Sequence, residues 1–324
     1  MSGGYLPYHL RQGKAIDRQI FIEILSKLNK SLNIKHYTYI GLGGPFLEDF
    51  KLLHGHFGLP KMISIELDQH VLERQKFNTP LSCIECQLTT TEQFISEYSS
   101  NDNAIFWLDY ASPRERYQQL SELYSLVQKL QNNDIIKVTL NADLSTLGKP
   151  QKERGEKLKN SRLHRLRSQL SDYLPNNIDI DYMTARGFPE ALIKSVERVC
   201  HKAAEYTGSA ILPIGAFTYK DGQRMLTITM VKVENEECTE FYNQTDIECW
   251  ELSNKDWSAP IDIDVPSLSI RERLWLDKKL PTEIETIEDE LGFQFDSDAE
   301  KSSELINNYK KFYRYYPQFS RVLV

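Results

Sequence analysis

The sequence has little of what announces a compartment or a chemistry outright. Its 324 residues contain five cysteines, an odd number spread thinly, which argues against a disulfide framework. The close pair Cys83 and Cys86 has no second Cys or His pair at finger spacing, so it falls short of the ligands a structural zinc requires. No run approaches the roughly 18 to 20 uncharged apolar residues of a membrane-spanning helix, and Met1 to Leu10 lacks the apolar core of a secretory signal. A cytoplasmic protein without membrane contact is expected. A P-loop is excluded as well, because no Gly-Lys-Ser or Gly-Lys-Thr is present.

Positive charge is in the minority. Lys and Arg number 39 against 46 Asp and Glu, a net charge of -7, which argues against a general nucleic-acid coat. The sum hides an asymmetry. From Lys149 to Arg167 eight basic residues accompany two acidic ones, a local +6, whereas Glu234 to Glu304 hold 21 acidic and 6 basic residues, a local -15. The basic segment opens on Gly148-Lys149-Pro150 and reads as an exposed loop running into a helix, with RNA or nucleotide phosphates as one partner. The acidic extension is a candidate surface for a protein partner, and the basic segment itself could dock on it, within one chain or between two. With 40% hydrophobic residues the chain can bury a sizeable core.

What is present is a regular alternation. Ile16, Ile20, Ile24 and Leu28 share one helical face with Phe21 and Leu25. Strand-length apolar runs follow at Tyr37–Ile40, Met62–Ile65, Ala104–Leu108 and Ile135–Leu140, with a weaker one at Leu81–Ile84. Helical segments separate most of them, near 47–57, 70–77, 90–98 and 114–131. Strands apolar on both faces, alternating with helices, imply an α/β domain with a mostly parallel sheet covered on both sides. After the basic insertion, roughly residues 145–170, a helix is expected near 189–206. The runs Ala210–Tyr219 and Met225–Val233 then flank Asp221-Gly222, a strong hairpin signal, so the sheet finishes in an antiparallel pair. Residues 1–233 form this domain, and residues 234–324 form an acidic, aromatic, α-rich extension with helices near 269–280 and 300–315.

In such a sheet, ligands bind at the carboxyl ends of the strands. After the first run stands Gly41-Leu42-Gly43-Gly44, where the backbone can approach a ligand and a helix N-terminus follows. The second ends Ile65-Glu66-Leu67-Asp68, and Glu66 is placed to accept both hydroxyl hydrogens of a ribose. The fourth ends Leu108-Asp109-Tyr110. A nicotinamide site would prefer a third glycine where this chain has Phe46.

These three junctions and the late hairpin resemble a class I S-adenosylmethionine-dependent methyltransferase. More narrowly, Pro7-Tyr8-His9-Leu10-Arg11, Lys14-Ala15-Ile16-Asp17-Arg18, Phe46 to Phe50 and Met62 to Glu66 are similar to a bacterial family described as "putative O-methyltransferases". The resemblance implies a Rossmann-like seven-stranded sheet with S-adenosylmethionine over the first two strand ends, contacted by Gly41, Leu42, Gly43, Gly44, Glu66 and Leu67. It implies that Gln87, in the loop after the third strand, lies by the adenine. It also lets Lys14 close over the cofactor from the segment before the first strand. Where such enzymes carry an acid two places before the first glycine, this chain has Tyr39.

Asp109 is the candidate catalytic residue, as base or positioning group, and a cofactor contact. A DNA-base amine as target would favour Asp-Pro-Pro-Tyr here, and both prolines are missing. Asp109, Asn141 and Asp143 resemble the oxygen ligands that hold Mg²⁺ in catechol-type enzymes, although no metal is the primary expectation. The function expected is methylation of a hydroxyl or of an RNA or nucleotide substrate. The alternative is a catalytically weak or inactive methyltransferase-like binding subunit of a larger assembly.

Overall fold

The five apolar runs of the first half become neighbouring parallel strands: β1 (Thr38–Gly41), β2 (Lys61–Glu66), β3 (Ile84–Leu88), β4 (Ala104–Asp109) and β5 (Ile135–Asn141). The structure is a computed structural model and describes residues 11–149, 154–281 and 287–317. The hairpin is formed by β6 (Ser209–Asp221) and β7 (Gln223–Glu234), turning at Gly222 with φ 104. A last short strand, β8 (Ile261–Ile263), completes an eight-stranded sheet of order β3-β2-β1-β4-β5-β7-β6-β8. Only β7 runs against its neighbours. The hairpin signal of Asp-Gly between two alternating runs is thus realised in the structure.

Seven strands were expected and eight are present. The added strand comes from the acidic extension and pairs in parallel with β6. Three residues, Ile-Asp-Ile, are too few to show a period of two, and what seats them is long-range. Asp262 accepts hydrogen bonds from the Thr218 hydroxyl at 2.7 Å and from Arg224 at 2.5 Å, while Ile263 is buried. The third strand also differs, starting at Ile84 where the weak run was expected to end. It is an edge strand with an open flank, so polar Glu85 and Gln87 are tolerated within it.

Alternate residues of each strand serve opposite layers. On one face Ile40, Phe106, Val138 and Ile228 pack with α5 (Arg116–Lys129), α6 (Gly155–Leu170) and α7 (Gly187–Ala204), represented by Leu123, Leu166 and Val196. On the other, Tyr39, Trp107, Phe217 and Val231 meet Ile20 of the first helix and Phe50 of the second. Those are α1 (Gln12–Leu28) and α2 (Glu48–Phe57), with α3 (Gln69–Asn78) and α4 (Thr91–Glu97) connecting the next strands. Each fully buried Ile, Leu or Phe contributes about 1.5–3 kcal/mol, so these layers supply most of the drive to fold.

The acidic extension carries α8 (Cys238–Gln244), α9 (Ile270–Asp277), α10 (Ile287–Leu291) and α11 (Ala299–Phe312). Its Phe241, Ile247, Tyr309 and Phe312 join the cluster that holds α1. Tyr315 donates to Glu23 on the outer side of that helix. Among the described residues no helix is long and apolar enough to cross a membrane.

Of the basic segment, Pro150, Gln151, Lys152 and Glu153 lie outside the described residues, as do Pro7 to Leu10 of the amino-terminal motif. The remainder is more docked than a solvated loop. Leu158, Leu163, Leu166 and Leu170 bury one face of α6. Arg162 donates to the Gly148 carbonyl at 3.1 and 2.9 Å, and Arg165 to that of Leu147 at 3.1 Å.

Candidate cofactor and acceptor site

The carboxyl ends of β1, β2 and β4 open on one cavity of about 530 Å³, walled in part by Leu42, Gly44, Glu66, Leu67 and Asp109. The glycine loop divides its labour. Gly44, at φ 52, faces the cavity, whereas Gly41 and Gly43 serve packing behind it. A Cβ on Gly41 would stand 2.7 Å from the Tyr39 hydroxyl oxygen, and one on Gly43 would stand 2.6 Å from the Ser64 hydroxyl. Tyr39, in the place where an acid is usual, is buried and packs edge-on against Phe50. Burial, then Asp49 and Asp109, push its hydroxyl pKa well up, so it stays neutral.

Glu66 is held by its own strand end. One carboxylate oxygen accepts the N–H groups of Leu67 and Asp68 at 2.9 and 3.0 Å; the other lies 3.5 Å from the Gln75 amide. Gln75, fully buried on α3, also donates to the Gly44 carbonyl at 2.9 Å and so ties the glycine loop to Glu66. Leu67 is 72% exposed and offers an apolar surface at the cavity wall. Gln87 is not brought here. It donates to Glu85 at 2.7 Å and lines a separate cavity beside α4, because alternation turns it away from the strand tip. Thr89, Thr90 and Thr91 occupy the wall instead.

Asp109 meets Lys14 of α1, with Nζ to Oδ2 at 2.6 Å. Burial alone would raise the Asp109 carboxyl, but Lys14, supported by Arg18 and Thr139, draws it below the usual carboxylate range. Lys14 belongs to a row of charges that α1 lays against the sheet. Asp17 pairs with Lys137 of β5 at 2.7 Å and accepts from Thr227 of β7 at 2.6 Å, while Arg18 pairs with Asp49 of α2. The Lys137 ammonium also sits 4.2 Å from the Trp107 ring centre and 4.6 Å from that of Phe21. Buried charges persist only when paired in this way.

The proposed oxygen set for Mg²⁺ is not assembled. Asn141 donates to Gln223 at 2.6 Å, and its side-chain oxygen accepts the Asp143 N–H at 3.1 Å. Asp143 caps the short turn Leu144–Leu147 through the Ser145 N–H at 2.9 Å. Among the described residues no group of three His, Cys, Asp or Glu side chains is placed to hold a metal ion. Cys83 and Cys86 are likewise separate, the first near His54 and the second near Thr79.

Three contributions escaped the sequence reading. A stripe on α5 and its approach, Glu115, Gln118 and Glu122, lines the cavity at helical spacing. Burial pushes the Glu122 carboxyl up, against a 2.6 Å hydrogen bond from the Tyr110 hydroxyl. Arg116, 1% exposed, donates to the carbonyls of Pro113 and Asn141 and fixes the loops after β4 and β5 relative to each other. Asp221, at the hairpin turn, also lines the cavity.

Known proteins resemble the chain to different degrees. No curated protein matches the chain. Among solved structures, the plantazolicin methyltransferase BamL, in complex with a triazolic desmethylPZN analog and SAH, is 11% identical over 67% of this chain and 85% of its own, with a TM-score of 0.43. Trm1 from Pyrococcus horikoshii, in complex with S-adenosyl-L-methionine, is 12% identical over 92% of this chain and 76% of its own, TM-score 0.47. The N-methyltransferase NodS from Bradyrhizobium japonicum WM9 is 10% identical over 68% and 97%, TM-score 0.38. A family model, described as "Putative O-methyltransferase", matches residues 6–324. The chain belongs to that family.

Proposed function

We propose that the cavity binds S-adenosylmethionine across the tips of β1 and β2 and presents its methyl group to an acceptor hydroxyl near Asp109. The observation that carries this is the convergence of Gly44, Glu66 and Asp109, from three adjacent strand ends, on one cavity. The residues suit the cofactor. Glu66 retains an oxygen for ribose hydroxyls, Leu67 offers a flat apolar surface for a purine, and the acidic wall suits a cation. Arg11 and Lys14, at the same wall, suit the carboxylate of its methionine portion.

Bound S-adenosylmethionine supplies an electrophilic methyl carbon on a positively charged sulfur. The protein's part is alignment and proton removal. An acceptor hydroxyl receiving the methyl group would become strongly acidic, so even a carboxylate of lowered basicity would take its proton. Asp109, ionised beside Lys14, suits that role and orients the hydroxyl by accepting its hydrogen bond.

The test is calorimetry with S-adenosylmethionine on the wild type and Glu66→Ala. The wild type binds and the variant does not; equal affinity refutes the site assignment. Mass spectrometry of co-purifying small molecules checks the cofactor class independently. An RNA or nucleotide acceptor is the second form of this reading, supported by exposed Lys149 and Lys157 on the basic segment. Labelled methyl transfer into separate RNA and small-hydroxyl pools distinguishes the two.

A further inference from the structure

α1 begins without a cap of its own. Its N-cap residue, Arg11, makes no side-chain capping hydrogen bond, yet the next turn carries N–H groups that need an acceptor. The acceptor comes from 208 residues further along the chain. The Asp221 carboxylate takes the Gly13 N–H at 3.1 Å through one oxygen and the Lys14 N–H at 2.7 Å through the other. The approach is close enough to require glycine, since a Cβ on Gly13 would stand 2.8 Å from the Tyr219 Cβ. Both Asp221 and Lys14 border the cavity, and Lys14 is the residue whose ammonium meets Asp109.

We propose that Asp221 is a positioning residue for methyl transfer: it clasps the first turn of α1 to the hairpin and so sets the Lys14 ammonium over Asp109. A remote carboxylate at N2 and N3 does the work of a local cap, and it adds a favourable charge at the positive end of the helix. It also fixes where the side chain of the residue it holds begins. The Asp109 carboxylate is faced by Lys14 and Arg18 from α1, Tyr39 from β1, Lys137 from β5 and Tyr219 from β6. Of these, Lys14 lies on the turn that Asp221 holds.

This inference rests on the cofactor reading above, and its experiment separates the two. Hydrogen exchange by mass spectrometry on the free protein, over residues 11–17, is compared for wild type, Asp221→Ala, Asp221→Asn and Gly13→Ala. Calorimetry with S-adenosylmethionine is run on the same four proteins, with melting curves as a control of folding. Asp221→Ala exchanges at least ~10-fold faster at Gly13 and Lys14 and binds the cofactor about 10-fold more weakly, the scale of one lost cap. Asn keeps one acceptor oxygen and recovers part of both losses, which a purely structural role for the hairpin tip would not produce. Gly13→Ala gives the same pair of effects from the opposite side and serves if Asp221→Ala fails to fold. Unchanged exchange overturns the clasp. Faster exchange with unchanged affinity overturns the positioning role, as does a wild type that binds no cofactor; the latter also sinks the cofactor reading, with the clasp still visible in exchange.

Discussion

The Lys14 ammonium lies 2.6 Å from the Asp109 carboxylate, joining the first helix to the tip of the fourth strand. The Asp109 side chain remains 22% exposed, so the pair sits at the rim of the cavity and not in the deep core. That placement makes the pair responsive to pH as well as to mutation.

Replacing Lys14 by Met leaves Asp109 facing burial without its counter-charge. The expected loss is about 2–3 kcal/mol at neutral pH, the low end for breaking a buried pair because the site is partly solvated. In the wild type, the depressed Asp109 carboxyl contributes stability that is complete above the ordinary carboxylate range and is lost as pH falls through its folded value. In the variant, burial raises that carboxyl instead, so it takes up a proton on mild acidification and the gap to wild type narrows. Urea unfolding at neutral pH and in mild acid measures both.

Asp17 and Lys137 make the deeper pair, with side chains 1% and 2% exposed. Asp17→Ala is expected to cost about 3–5 kcal/mol. The double variant Asp17→Leu with Lys137→Met recovers most of that, because neither charge is then left alone. A double-mutant cycle by chemical denaturation gives the coupling directly.

Gly41 and Tyr39 test the packing of the glycine loop. Gly41→Ala forces a methyl against a buried ring and costs about 1–3 kcal/mol. Tyr39→Phe in that background removes the closest atom and relieves part of the strain. Thermal unfolding of the two single variants and the double shows the sign of the coupling.

On the basic helix, Arg162 and Lys157 should part company. Arg162→Ala loses two hydrogen bonds to the Gly148 carbonyl and about 1 kcal/mol of stability. Lys157→Glu, at an exposed position, leaves melting within about 0.5 kcal/mol of wild type. If the acceptor is RNA, the same change weakens retention and flattens its salt dependence, read by filter binding across a salt series.

The strands and their tips were legible because burial on both faces writes itself as continuous apolar runs. Glu66 and Asp109 could be found as the first carboxylates at the carboxyl ends of two such runs. The partners of those tips were not legible, because they arrive from far along the chain. Nothing local distinguishes Lys14, Asp17 and Arg18 from a solvated helix face until β4, β5, β7 and α2 are placed opposite them. Asp221 reads only as the first half of a turn, and Glu122 lies in a helical segment near 114–131 in which no residue is marked out for a site. Gln87 lies within β3 and lines the cavity beside α4, and a position near a strand tip does not by itself say which face it serves. The eighth strand escaped because Ile261–Ile263 is too short to carry a pattern, and its neighbours are 44 residues away.

The clasp on α1 has a consequence for how the chain is made. Gly13 and Asp221 are 208 residues apart, and Tyr315 reaches back 292 residues to Glu23 on the same helix. The clasp on α1 therefore closes only after Asp221 is made, well after Asp49, Asp109 and Lys137 have supplied partners for its charges. Loop closure over such separations is slow, and a helix bearing Ile16, Ile20 and Leu25 stands uncovered in the meantime. The wall that Lys14 gives the cavity is complete only once α1 has been clasped to the hairpin.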